Sequence, residues 1–322
     1  MGTANAPTAG DLQALVEAAS LAPSSHNTQP WLFRLSGQVV DLLADRMRAL
    51  PVNDPSDREL TISCGCALLN LRVAAAGMGL KASVEAFPDS AEEDLLARVR
   101  LSPGAPAPAD TSLLAAIAQR RTYRERFAIT AVAPESVHRL VVAAEDEAAM
   151  LTVLNTSEQR FAVGALVAEG DTIQWADSRW RRELAAWMHP RRRGDGLTLP
   201  GLAVPVAQLV VRTFDLGGGV AARDKQIADE SPVLAILATE GDGPRDWLAA
   251  GQALQRLLLN GVQLGLQASY LNQPVQVAAL RPKLKQVAGC RGHPQLLLRI
   301  GTPMRPIAAA PRRPLSAILT SD

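Results

Sequence analysis

Ten residues, Ala22-Pro23-Ser24-Ser25-His26-Asn27-Thr28-Gln29-Pro30-Trp31, hold the densest polar side-chain chemistry in the chain. Between the two prolines lie serine and threonine hydroxyls, an imidazole and two carboxamides. Such a set can hydrogen-bond a planar heterocycle as both donor and acceptor. The plainer alternative is a helix-to-strand loop in which Ser and Asn act as caps. Ser25 and His26 are neighbours without an evident Asp, and no Gly-x-Ser-x-Gly elbow occurs, so a hydrolytic triad is disfavoured. A second segment, Arg120-Arg121-Thr122-Tyr123-Arg124-Glu125-Arg126-Phe127, carries four arginines and one acid. That is more cation than a salt-bridged surface needs, and guanidinium forks suit a phosphate dianion. A solvated charged turn is the competing reading.

These segments need elements to hold them. Leu12, Leu15, Val16 and Ala19 recur at helical spacing, which predicts a core-packed helix just before the first segment. Pro30 biases Gln29 away from helical geometry, and Leu32, Phe33 and Leu35 predict a strand after it. Trp31 reads as core, and His26 carries no assigned role.

An internal repeat organises the rest. Residues Cys64 to Val84 lie on Ala250 to Tyr270 without a gap: Gly65 meets Gly251, Ala67 meets Ala253, Leu71 meets Leu257, and Gly79-Leu80-x-Ala82-Ser83 meets Gly265-Leu266-x-Ala268-Ser269. Both copies predict a long buried helix, a glycine C-cap and the start of a strand. The repeat extends back, with residues 12–19 on 137–144 and the strand from Met150 matching that from Trp31. The polar loop has no counterpart in the second copy, and the arginine segment has none in the first.

The chain has 322 residues, 48% hydrophobic and 20% charged, with formal net charge +1. That composition gives no reason to expect nucleic acid or an anionic membrane as partner. No run approaches the roughly 18 apolar residues of a membrane span, and Met1 to Ala6 lack signal-peptide character, so residence in the cytoplasm is the expectation. Cys64, Cys66 and Cys290 read as small buried residues, the four histidines are scattered, and no metal site is expected. Gly77-Met78-Gly79 matches a loose dinucleotide fingerprint but closes a helix instead of opening one. Gly217-Gly218-Gly219 reads as a loop hinge. Arg191, Arg192 and Arg193 read as a solvated basic loop, with attraction of the extra phosphate of NADPH as the alternative.

The stretch Pro-Ser-Ser-x-Asn-x-Gln-Pro-Trp and the Arg-Arg-Thr-x-Arg-x-x-Phe segment resemble the two flavin-contacting segments of the nitroreductase family. Their order is inverted here, because the arginine segment follows the polar loop by about ninety residues. In that family a dimer holds each FMN at its interface, one subunit giving the arginine segment and the other the polar loop. The inverted order resembles two such subunits fused in one chain, as in the Acg-like branch. The resemblance implies an α+β nitroreductase-like fold, two central mixed or antiparallel sheets flanked by helices. Half one spans residues 10–105 with the polar loop; half two spans 110–322 with the arginine segment and a lid-like insert at 188–231. It implies one FMN per chain, with NAD(P)H as electron donor and a nitroaromatic, quinone or similar flat molecule as acceptor. It carries Pro23, Ser24, Ser25, Asn27 and Gln29 to the flavin ring and ribityl chain. Arg120 and Thr122 go to the phosphate, Arg121 binds the cofactor beside them, Arg124 goes to the ribityl or ring edge, and Arg312 and Arg313 of Pro311-Arg312-Arg313-Pro314 go to the phosphate as well. Tyr270, Leu271 and Asn272 run beside the ring, where a backbone N–H would face N5. No dedicated catalytic residue is implied, since the chemistry sits on the flavin. A fused chain could act as a monomer or associate further. The alternative activity is an FMN reservoir without turnover, its active face closed by the insert.

Overall fold

The computed structural model describes residues 6–105, 107–189, 194–198, 204–213 and 216–321. Arg191, Arg192 and Arg193 lie outside the described residues, so neither reading of that basic run is developed below. Helix α1 (Ala9–Ser20) begins at a capping box, Thr8 with Asp11, and buries Leu12, Leu15, Val16 and Ala19 as their spacing dictates. The polar loop follows, then strands β1 (Trp31–Ser36) and β2 (Val39–Ala44), helix α2 (Arg58–Gly77), and strands β3 (Leu80–Ala86) and β4 (Leu95–Pro103). Helix α3 (Pro108–Gln119) leads into the arginine segment. Helix α4 (Pro134–Glu145) and strand β5 (Met150–Val153) precede α5 (Ser157–Ala176), α6 (Ser178–Ala186), the short strands β6 (Met188–His189) and β7 (Leu197–Thr198), α7 (Val204–Thr213) and α8 (Gly217–Asp229). Strand β8 (Val233–Thr239), helix α9 (Pro244–Gln263), strand β9 (Gln267–Tyr270), helices α10 (Gln273–Gln276) and α11 (Arg281–Ala288), β10 (His293–Gly301) and β11 (Leu319–Thr320) complete the chain.

One sheet runs β11-β1-β2-β4-β3 and another β5-β8-β10-β9, with β6 and β7 forming a small parallel pair. Both large sheets are antiparallel except where the C-terminal β11 joins β1 in parallel. The chain end thereby returns to the sheet that carries the polar loop.

α2 and α9 cross between the sheets. Each has a glycine at the crossing: a Cβ on Gly65 would fall 2.9 Å from Gly251 Cα, and one on Gly251 would fall 2.0 Å from the Ile62 carbonyl oxygen. Only glycine allows backbones to approach so closely. α2 is long and apolar enough to cross a membrane, but 89% of its most apolar window is buried inside the fold. It is a core helix, and its buried polar Asn70 bonds to the Ala18 carbonyl and receives the Gln255 amide. Both helices stop at a left-handed glycine, Gly79 and Gly265, each with φ of 73°. Cys64 and Cys66 face this core as buried thiols.

One expectation changes. The triglycine is no hinge; it forms the first turn of α8, where a helix start tolerates glycine. Between β5 and β8 the chain runs through α5, α6, β6, β7, α7 and α8, with α5 opened by a Thr156–Gln159 capping box and α6 by Asp177.

Candidate functional site

The polar loop is held in a costly shape. His26, Asn27 and Gln29 have φ of 50°, 55° and 51°, a region that non-glycine residues seldom occupy. Several contacts enforce it. Ser24 Oγ accepts the Gln29 N–H at 2.9 Å, Arg48 Nε donates to the Thr28 carbonyl at 2.5 Å, and the Asn27 carbonyl accepts the Gly196 N–H at 3.2 Å.

The arginine segment is laid against the second sheet. Tyr123 N–H donates to the Ala268 carbonyl at 2.9 Å, and Arg121 N–H donates to Gln267 Oε1 at 2.9 Å. Arg299 of β10 reaches back to the Tyr123 and Glu125 carbonyls at 2.9 and 2.8 Å. Segments about a hundred residues apart in sequence therefore face each other across two adjoining cavities.

The larger cavity, about 410 Å³, is lined by Ser25 and His26 of the loop, Glu59 and Cys66 of α2, and Tyr270, Leu271 and Asn272 after β9. Its outer wall is built by Asp171 and Trp175 of α5, Trp180 of α6 and Asp224 of α8. The smaller cavity, about 270 Å³, is lined by Asn27, Arg120, Arg121 and Arg312. Pro23, Ser24, Thr122 and Arg124 line both, so the two join.

The smaller cavity is strongly cationic. Among the described residues, Arg120, Arg121, Arg124 and Arg312 have no carboxylate partner, and the Nε atoms of Arg120, Arg121 and Arg312 are buried without an acceptor. Burial, and then repulsion from Arg120 and Arg121, pushes Arg312 down to about 9. Burial likewise lowers Arg120 and Arg124. Four cations without acidic partners, one buried, two half-buried and one exposed, with three unbonded Nε donors, are an arrangement a multivalent anion completes.

The larger cavity is polar at its base. Glu59 accepts the Ser25 hydroxyl at 2.6 Å and the Gln276 amide at 2.9 Å, and the Asn272 amide lies 3.4 Å away. Burial pushes His26 down to about 4, outweighing the pull of Glu59, so its imidazole is neutral near pH 7. Burial raises the Tyr270 phenol, which stays protonated.

Most of the expected residues converge on these cavities, and two, Gln29 and Arg313, do not. Gln29 is fully buried and faces neither: its amide donates to the Gly194 carbonyl at 2.8 Å and its Oε1 accepts the Arg313 N–H at 2.9 Å. Arg313 points the other way, pairing with Asp45 at 3.1 Å and donating to the Gln29 carbonyl at 2.9 Å. The Leu271 N–H is taken by the Leu297 carbonyl at 3.0 Å, which leaves the Asn272 N–H as the backbone donor there with no acceptor among the described residues. Asn27 lines the smaller cavity but works as a strut: its Oδ1 accepts from Arg312 at 3.0 Å and its amide donates to the Pro311 carbonyl at 3.2 Å.

Sequence reasoning missed Glu59, Asp171 and Asp224. An Arg-Glu pair opening an otherwise apolar helix was the available signal for Glu59. The two aspartates sit on polar-looking helices and gave none.

No family model matches the chain. Curated relatives do, along nearly its whole length. A Mycobacterium tuberculosis H37Rv protein named as an NAD(P)H nitroreductase, Rv3131, is 32% identical over 321 residues, covering 97% of this chain and 92% of its own. The protein of the same strain named as NAD(P)H nitroreductase Acg is 29% identical over 316 residues, covering 95% and 94%. Among solved structures, the FMN- and NADPH-dependent nitroreductase NfnB of Sphingopyxis sp. strain HMH aligns with TM-score 0.44 and 20% identity, covering 65% of this chain and 97% of that one. With a relative this similar spanning both the polar loop and the arginine segment, the chain belongs to the nitroreductase family.

Proposed function

We propose that the joined cavities hold one FMN per chain, its ring in the larger and its phosphate in the smaller, and that the chain is an NAD(P)H-dependent oxidoreductase. The carrying observation is the set of four arginines without acidic partners beside a ring-sized cavity lined by both apolar and charged groups. FMN, when bound, supplies hydride transfer from NAD(P)H to a flat acceptor such as a nitroaromatic or quinone. The protein's part is binding and orientation. Arg120, Arg121 and Arg312 face the phosphate region, with Thr122 and Ser24 hydroxyls at the junction. The Asn272 N–H is the donor available beside the ring, where it would favour developing negative charge. Neutral His26 and protonated Tyr270 add no charge to the ring cavity.

We further infer that the two halves descend from one repeated unit. The elements α1-β1-β2-α2-β3-β4 and α4-β5-β8-α9-β9-β10 run in the same order, and their strands sit in the same sheet order. The crossing glycines, Gly65 and Gly251, are the pair that the sequence repeat aligns. Where the repeat would put a second polar loop, the turn after α4 instead supplies Glu147, which pairs with Arg72 at 2.7 Å and Arg256 at 2.6 Å. That position is closed by charges satisfying one another, which supports one flavin per chain.

One observation favours a second reading, an FMN reservoir: α5, α6 and α8 contribute to the lining of the larger cavity. The visible spectrum of the purified protein, flavin per chain, and NADPH added without oxygen separate the two. One FMN that bleaches promptly supports the oxidoreductase. One that stays oxidised supports the reservoir, and a colourless chain that takes up no added FMN refutes both.

A further inference from the structure

α5 approaches α10 closely enough to need a glycine. A Cβ on Gly170 would fall 2.7 Å from Gln273 Cβ and 3.0 Å from its carbonyl carbon. The next residue, Asp171, is thereby set against the Gln273 amide, whose nitrogen donates to Asp171 Oδ1 at 3.1 Å and to Asp224 Oδ2 of α8 at 2.9 Å. Two carboxyl groups on the nitrogen side fix the amide's orientation, because its oxygen would repel them. Two acceptors are left over. Asp171 is 2% exposed, and its Oδ2 is buried without a donor. Gln273 Oε1 is also buried without a donor. Both residues line the larger cavity, and once Asp171 is ionised, above about pH 7, buried acceptors of this kind call for a donor.

An aromatic surface stands beside them. Trp175 follows Asp171 by one helical turn, on the same face. Its indole meets Trp180 edge to face with centroids 5.5 Å apart, and both line the cavity. Arg223 and Arg299 line it too, and offset the carboxylates. A neutral group with paired N–H donors fits this balance better than an ammonium.

We propose that Asp171 and Gln273, braced by Asp224, form a subsite for the NH2 group of a planar ring ligand, a carboxamide or an aromatic amine, resting against Trp175 and Trp180. The inference deepens the oxidoreductase reading and rests on it, since it names the ligand class for the outer part of the same cavity. Its chemistry is recognition: a site built around donors rejects a ring of the same size that lacks them.

The test is calorimetric binding to the purified chain at about pH 8, where Asp171 is ionised, with flavin content measured on the same sample, using two matched pairs. Benzamide against methyl benzoate probes the carboxamide; para-nitroaniline against para-nitroanisole probes the amine. In at least one pair the NH2 compound should bind about tenfold tighter or more, and the pair that discriminates identifies the source of the donor. Asp171→Leu and, separately, Gln273→Met should each collapse that preference, with affinities compared per flavin-loaded chain. Equal affinities within both pairs on the wild-type chain overturn the subsite, whether or not the variants fold. A preference that survives in both variants overturns it as well. A chain that takes up no FMN refutes the cofactor reading by itself, and the paired comparison on that same sample still decides the subsite.

Discussion

Replacing Arg120 with methionine should move two properties in opposite directions. Arg120 is 6% exposed, yet its contacts are poor: its guanidinium lies 3.5 Å from Thr122 Oγ1 and 3.4 Å from the Leu21 carbonyl, and its Nε has no acceptor. Its charge is buried beside Arg121 and depresses Arg312. An underpaired buried donor set costs about 1–3 kcal/mol. Arg120→Met removes that cost together with the repulsion, and methionine fills most of the stem's volume. The flavin-free variant should therefore resist denaturant better than wild type by about 1–2 kcal/mol. The same change removes a charge-assisted contact to the phosphate, worth about 1.5–3 kcal/mol. FMN affinity should fall roughly 10- to 150-fold. Urea unfolding of flavin-free protein and fluorescence titration with FMN read the two effects separately. A variant that loses stability without flavin and binds FMN as before would refute the reasoning, because Arg120 would then be an ordinary structural cation.

Other outcomes follow from particular contacts. Burial first and Asp224 second push Asp171 up to about 7, with Gln273 pulling it down. The folded chain holds that proton from about pH 4 to about pH 7 while the unfolded chain has lost it, so stability falls as pH rises across this window. Asp224 and Arg223 on α8, Arg299 on β10 and Gln273 on α10 are the groups facing it. Asp171→Asn should erase that slope, its melting-temperature advantage growing between about pH 5 and about pH 8; a constant difference would reject the titration. Gly251→Ala must push α9 off the Ile62 carbonyl oxygen, which its Cβ would meet at 2.0 Å, and should cost about 1–3 kcal/mol in denaturant unfolding. Adding Gly65→Ala should cost less than its single effect, because the helices have already parted. Arg313→Met breaks the buried pair with Asp45 and should lower stability by about 3 kcal/mol, while FMN affinity stays within about threefold, since Arg313 faces neither cavity.

The site was legible where its chemistry is packed into a short window. Ser24, Ser25 and Asn27, and Arg120 to Arg124, offered hydrogen bonding and anion binding by type, with a capped loop and a charged turn left open, and the family resemblance drew them together. The twin helices were legible because a glycine at a crossing, apolar spacing and a glycine C-cap recur in the same register. Direction was not legible. Gln29 sits in the same window, yet its amide turns to the Gly194 carbonyl and the Arg313 N–H, partners supplied from distant segments. Arg312 and Arg313 are neighbours and identical in type. Asp45 captures one, while the other is left among arginines. Glu59, Asp171 and Asp224 entered the site through helix packing, for which a single acidic residue on a helix leaves no local pattern.

Charge pairing separates the proposed flavin site from its repeat-related counterpart, and one more substitution exposes the contrast. Arg256 of α9 is 5% exposed and fully engaged: it reaches Asp110 at 2.6 Å and Glu147 at 2.6 Å, while Arg72 shares Glu147 at 2.7 Å and takes the Gln252 oxygen at 2.8 Å. Arg256→Met is chemically the same change as Arg120→Met, a buried arginine exchanged for an apolar chain of similar length. Here it leaves Asp110 and Glu147 to share Arg72, which stands 3.9 Å from Asp110 and 2.7 Å from Glu147, and breaking such a buried pair from one side costs about 3–5 kcal/mol. Flavin-free stability should drop by that order, and the flavin bound per folded chain should stay at one. If Arg256→Met instead stabilised the flavin-free chain as Arg120→Met is expected to, the two arginine clusters would be equivalent. The argument that one waits for an anion while the other is closed by its own acids would fail. Opposite signs from one kind of substitution, measured by the same unfolding curve, would tie the anion-binding assignment to the absence of acidic partners and not to arginine content.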